Sequence, residues 1–418
     1  MKYLLLLLLL TGCAHMQNTG ESPLVSILIQ DRNGMTETIS TPDRLSLFEQ
    51  VDFSSSQPYK KVLRVYKQNG KHTSKITTYH SNGLLWKYLE AQDMRAFGTY
   101  QEWHSNGLLK IEARVIGGTA DLAEGAQSDW LFEQEAKVFD EKGHLQAQFL
   151  YEKGILEGLS HFYYPNGQIQ KEISYRNNQL HGDFLTYLPN GELQSKAHYI
   201  DGLKEGESLG FWPAQQKAWV EHYQEGKLLE ATYYSNKGDL LSQIQNGSGF
   251  QALFNEAVLE KMVEYRKGVP EGLVKELSPK GELKIAYRLK NGKKQGEEIH
   301  YYLEEEGQIP KLSIPWEDNA ISGIVKTWYN DGHLQSQREM ARNQKNGSSV
   351  AWYRDGSLMY IEEYEEDTLT KGNYYKKNQR EPISTILNGS GTATLYDEHG
   401  IFIRKVPYFK GKPVDPDN

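Results

Sequence analysis

Beyond residue 60, apolar and polar residues alternate in short runs separated by glycine-containing turns. After Pro165-Asn166-Gly167, apolar side chains fall at Ile169, Ile173 and Tyr175. After Pro189-Asn190-Gly191 they fall at Leu193, Ala197 and Tyr199. An even spacing marks half-buried strands, and Asn-Gly and Asp-Gly turns supply the positive φ that tight hairpins require. The pattern recurs every 24 residues: Gly83 to Gly107, Gly143 to Gly167 to Gly191, and Gly332 to Gly356. A second glycine series, Gly158, Gly182 and Gly206, keeps the same 24-residue step. In register, Tyr163, Tyr187 and Phe211 coincide, as do Pro165, Pro189 and Pro213. Each unit therefore reads as one β-hairpin, followed by a second glycine-containing turn into the next. A lone hairpin cannot bury its apolar face, whereas stacked hairpins share an aromatic stripe. The predicted fold is all-β: an elongated repeat array of antiparallel β-hairpins forming a twisted sheet or ribbon, about fourteen units between Lys60 and Gly411. A longer echo pairs Asn246-Gly247-Ser248-Gly249 with Asn388-Gly389-Ser390-Gly391, 142 residues apart, as a variant hairpin following a longer connection.

The ends break this pattern. Leu24–Ile29 and Met35–Ile39 read as strands around an Asp31-Arg32-Asn33-Gly34 turn, Thr41-Pro42-Asp43 as a helix start, and Ser54–Pro58 as a linker. This segment fits an N-terminal cap on the array. Gly117–Gln134 is an insertion into one unit and reads as a protruding loop. Lys2 and the apolar run Leu4–Leu10 are too short to span a bilayer and fit a secretion signal ending near Thr11-Gly12-Cys13. The chain thus divides into a signal (1–12), a polar tether (13–22), a β cap (23–58), the array (59–411) and a tail (412–418).

Two resemblances follow from these residues. Leu10-Thr11-Gly12-Cys13 resembles the lipobox of bacterial lipoproteins, which implies cleavage before Cys13 and lipidation of its thiol and new amino terminus. Two or three acyl chains anchor stably where one does not. Ala14, in place of the Asp that favours inner-membrane retention in that family, points to the outer membrane. The units Tyr163–Ile169, Tyr187–Leu193, Trp328–Leu334 and Trp352–Leu358 resemble the bacterial MORN-variant repeat. Long arrays of it resemble the YwqK-type antitoxin family. The resemblance implies an antitoxin or immunity role as the alternative to a membrane-anchored scaffold.

Composition narrows the chemistry. A net charge of −8 argues against a nucleic-acid partner. The single cysteine excludes a disulfide framework and a Cys-based zinc cluster. The 12 histidines are scattered without HExxH spacing, and His144, His161, His181, His198 and His222 read as surface or cross-strand residues. No nucleophile elbow or phosphate loop is present. Glu304-Glu305-Glu306 and Glu362–Asp367 read as solvated charged turns. The reading is a non-enzymatic protein without metal or cofactor, held at the membrane by Cys13 and binding a protein partner. A glycan-acting envelope enzyme is the third reading. Phased aromatics fill the shared stripe, whereas Trp130 and Trp316, in insertions, are the candidate interaction residues.

Overall fold

The computed structural model describes residues 24–68, 71–303 and 307–414. Cys13 and Glu304-Glu305-Glu306 lie outside the described residues. Most of the described residues lie in strands, each paired antiparallel with its neighbours, so the hairpin repeat array is the architecture observed. The chain forms two compact units: an amino-terminal one reaching His181 and including Pro189–Gly191, and a carboxy-terminal one of Gly182–Leu188 and Glu192 onward.

Two kinds of turn alternate. Around Pro165-Asn166-Gly167 only the glycine has positive φ, at 84°. The Tyr164 N–H donates to the Gln168 carbonyl at 2.8 Å, and the ladder before the turn carries a bulge between Phe162 and Tyr163. The tight two-residue turns lie at the other end of each hairpin. They need positive φ at both positions, yet several contain no glycine: Asn177-Asn178 (52° and 63°), Asp318-Asn319 (49° and 68°) and Glu366-Asp367 (44° and 64°). The glycine series therefore locates the wider turns and misses several of the tight ones.

In the amino-terminal unit, Leu24–Gln30 is sandwiched between Thr36–Ile39 and Lys61–Gln68, making the cap the first strands of the sheet. Ile27, Ile39, Leu45, Phe53, Val62 and Tyr79 form its core. Ser54–Pro58 is strapped down. Gln57 N–H donates to the Gly83 carbonyl at 2.9 Å, Tyr79 Oη to the Phe53 carbonyl at 2.8 Å, and the Arg32 guanidinium to the carbonyls of Pro58 (3.1 Å) and His80 (3.0 Å). The expected helix is the single turn Pro42–Leu45.

The insertion after Gly117 folds inward instead of protruding. Leu122 and Trp130, each 5% exposed, pack with Leu89, Tyr100, Ala113 and Val115. Asp121 pairs with Lys61 at 2.5 Å, and Asp129 accepts from both the Thr119 N–H (3.0 Å) and its hydroxyl (2.7 Å). The insertion covers apolar surface that strands alone leave open, about 1.5–3 kcal/mol per large side chain buried.

The carboxy-terminal unit holds two similar cores. One gathers Tyr223, Leu228, Tyr233, Ile244 and Ala252, the other Tyr364, Leu369, Tyr374, Ile386 and Ala393. The Asn246-Gly247 and Asn388-Gly389 turns close them. Gly247 N–H donates to the Leu229 carbonyl at 2.7 Å and Gly268 N–H to the Gly247 carbonyl at 3.0 Å; Gly389 and Gly411 repeat this at 2.9 and 2.8 Å. A Cβ on Gly247 would come within 2.4 Å of the Gly268 nitrogen, which explains why the echo repeats its glycine. The second copy follows the long connection 375–383, but the first follows an ordinary one, 235–239, so only half of that expectation matches.

Candidate interaction surfaces

Hairpins are joined by more than the strand ladder. Asn166 accepts from the Gln168 N–H at 3.0 Å and donates through Nδ2 to the Pro189 carbonyl of the next turn at 3.0 Å. Asn82 and Asn106 do the same toward Ser105 and Glu141, both at 2.7 Å. At several wide turns the opening residue adds a second stitch. His80 Nε2 donates to the Trp103 carbonyl (2.9 Å), His104 Nε2 to that of Phe139 (3.0 Å), Tyr329 Oη to that of Trp352 (2.8 Å) and Tyr353 Oη to that of Tyr375 (2.9 Å). These side chains serve cohesion, which leaves binding to the faces between them.

The outward face is mostly polar and internally satisfied. Glu90, Glu264 and Glu339 each reach over a bulge eight residues on and accept the following N–H, from Thr99 (2.8 Å), Leu273 (2.6 Å) and Ser348 (3.3 Å). The bulge residue is Gly98, Gly272 or Gly347, at φ of 121°, 112° and 105°; a Cβ there would strike the glutamate. A hollow of about 620 Å³ on this face includes Glu90, Glu112 and Glu135. Glu90 also accepts from Tyr88 Oη (2.9 Å), Glu112 from Gln101 (3.1 Å), and Glu135 from Gln148 (2.9 Å) while pairing with Lys137 (2.9 Å). These carboxylates hold backbone and neighbouring side chains in place. Among the described residues no group of three His, Cys, Asp or Glu side chains could hold a metal ion.

The glutamate is not general: the same position is Ser174, His198, Arg288 or Pro315 in other hairpins, and in one it is Leu150, lying across Gly158 and 43% exposed. Leu131 (43%) lies against Gly154, and Ile155 (37%) and Leu159 (52%) flank the same Lys153-Gly154 turn. Four aliphatic side chains thus face solvent around one turn of a charged sheet, a grouping that marks interaction sites.

The inward face carries buried carboxylates. Glu221 Oε1 accepts from Tyr233 Oη (2.7 Å) and Gln251 Nε2 (3.0 Å), and its Oε2 from Tyr223 Oη (3.0 Å). Glu362 repeats this with Tyr374 (2.8 Å) and Tyr364 (3.0 Å), 141 residues on. Burial, then the adjacent carboxylate, pushes these tyrosines well above their usual range. Lys204 and Lys345 stand 4.7 and 4.5 Å above the rings of Tyr223 and Tyr364.

The two tryptophans singled out by sequence sit in such settings. Trp130 is a core residue; its Nε1 donates to the Thr119 carbonyl at 2.8 Å and its ring meets Tyr100 edge-on at 4.9 Å. Trp316 Nε1 donates to Glu298 at 3.0 Å, and Lys294 lies 5.0 Å over its ring. Burial pushes the Glu298 carboxyl up, but hydrogen bonds from Lys294 and His300 outweigh it and hold it below the ordinary value. Trp130 belongs to the amino-terminal unit and Trp316 to the carboxy-terminal one. Sequence reading missed the Leu131–Leu159 patch, because the spacing of Leu131, Leu150, Ile155 and Leu159 does not say that all four turn to solvent.

No curated protein matches the chain. A porin-like protein from Bacteroides uniformis shares 11% identity over 58% of this chain and 94% of its own, at a TM-score of 0.14, too slight a likeness to bear on fold or function. The MORN repeat variant family matches residues 156–177 and 180–201, two stretches that begin at the exposed patch and run on from it, so the chain carries MORN-variant repeats there.

Proposed function

We propose that this protein is a lipid-anchored scaffold of the cell envelope, bound to the outer membrane through Cys13 and capturing a protein partner on its repeats. The observation that carries the binding half is the Leu131, Leu150, Ile155 and Leu159 patch beside the matched repeats. Scaffolding, not catalysis, suits a surface whose acids are engaged in holding backbone. Crosslinking in intact envelopes tests it. The wild-type chain should yield a partner whose recovery falls at least fivefold, by order of magnitude, in a Leu150→Glu/Leu159→Glu variant. Equal recovery from both would remove the patch from the account. The anchor is tested separately with a palmitate analogue, which should label the wild type and not Cys13→Ser. The YwqK-type resemblance names one class of partner, a toxin; a neighbouring gene lethal only without this one would identify it.

A further inference from the structure

The insertion shows what the inward face of these strands accepts. Its sequence, Gly117 to Leu131, is acidic and carries Leu122 and Trp130 as anchors. Leu122 and Trp130 settle beside Tyr100, Gln127 Nε2 donates to Tyr100 Oη at 2.9 Å, and Asp121 takes the Lys61 ammonium. The surface beneath contains a buried carboxylate, Glu102, which accepts from Tyr100 Oη at 2.8 Å.

The carboxy-terminal unit has a comparable surface that opens as a cleft of about 280 Å³, lined by Phe184, Tyr199, Trp219 and Phe254 with Lys204 and Glu221. Glu221 is enclosed by its tyrosine and amide donors and forms a 3.7 Å ion pair with Lys204, whose side chain is 32% exposed against 4% for the carboxylate. The ammonium is thus the member of the pair that a partner meets at the mouth. The Trp219 indole is held flat across Gly210, where a Cβ would come within 2.2 Å of the ring, so this wall is set before anything binds.

We propose that this cleft binds an acidic segment of a partner protein, seating a tryptophan or leucine between its aromatic walls and placing a carboxylate on Lys204. The charge complementarity repeats that of Asp121 with Lys61. This rests on the scaffold reading and adds a second, chemically defined contact to the aliphatic patch. The probe is a fluorescein-labelled peptide with the sequence of residues 117–131, titrated against the full chain and read by polarisation. Saturable binding is expected, weakened about tenfold or more by Trp219→Ala and by Lys204→Glu, and unchanged by Leu159→Glu. Leu253→Glu, at a cleft residue already 39% exposed, gives the same loss without disturbing a core. Absent saturation, or equal affinity in all variants, would overturn the proposal. If the peptide fails while envelope crosslinking still recovers a partner through the Leu150 patch, the cleft is wrong and the scaffold stands. If peptide binding holds and crosslinking recovers nothing in any variant, the envelope-scaffold reading is the one that fails.

Discussion

At the scale of single residues, turn side chains do two jobs. Asn166 sustains its own turn through Oδ1 and joins the next through Nδ2. The first job was legible in the sequence, because Asn-Gly chemistry is local. The second was not, because it depends on how far the next turn lies. Asn166→Asp separates them: the acceptor remains and the donor is lost. It should cost about 1 kcal/mol, the usual net worth of one hydrogen bond, read as a lowered denaturation midpoint with unchanged far-UV circular dichroism. The histidines show the same division. Reading His80 and His104 as non-ligands needs only their scatter, whereas their bonds to Trp103 and Phe139 need the fold. Glu298 carries a pH prediction. Its carboxyl is held below the ordinary 4.5, so its contribution is full above that value and fades as pH falls through the lower folded one. Replacing Lys294 by Met removes a leading cause of the depression. Denaturant midpoints near pH 6 and near pH 3 should show the wild type losing more on acidification than Lys294→Met, which starts lower. An equal loss would show that Glu298 is not held by Lys294.

At the scale of elements, strands and hairpins were readable because a period of two survives on any half-buried strand. The tight turns at Asn177-Asn178 and Asp318-Asn319 were not, since side chains there tolerate positive φ without the glycine that advertises it. The insertion marks the sharper boundary. It contains Leu122 and Trp130 amid polar neighbours, but nothing local says which surface they cover. The expected protruding loop is instead a cover on Tyr100 and Ala113. Trp130→Ala should therefore destabilise the amino-terminal unit by about 3–5 kcal/mol, the range for emptying a core tryptophan site. Amide hydrogen exchange is the measurement: protection should fall in Arg95–Trp103 and Leu109–Val115, which pack beneath it. A change confined to 117–131 would restore the free-loop reading.

At the scale of the whole molecule, cohesion is spread along the chain in small clusters, as repeat architectures require. Tyrosine is the common material: the chain has 27, and it can pack a ring while still giving a hydroxyl to a carbonyl or a buried carboxylate. That choice has a consequence in base. Burial raises the hydroxyls of Tyr100, Tyr223, Tyr233, Tyr364 and Tyr374, and Tyr265 and Tyr353 are each pushed up to about 12. Folding therefore favours the protonated form. This contribution is complete below the unfolded value near 10 and is lost as pH rises through the folded values, because only the unfolded chain can release those protons. The chain should accordingly unfold in base, with buried tyrosinate absorbance and loss of near-UV circular dichroism appearing in one cooperative step above about pH 10. Tyr233→Phe and Tyr374→Phe, which remove two of the most strongly raised groups, should make the remaining stability less steep in pH over that interval. Stepwise tyrosinate formation while the near-UV signal persists would mean that these hydroxyls reach solvent in the folded state, and the tyrosine–carboxylate pairs would then not be the fixed points around which the hairpins close.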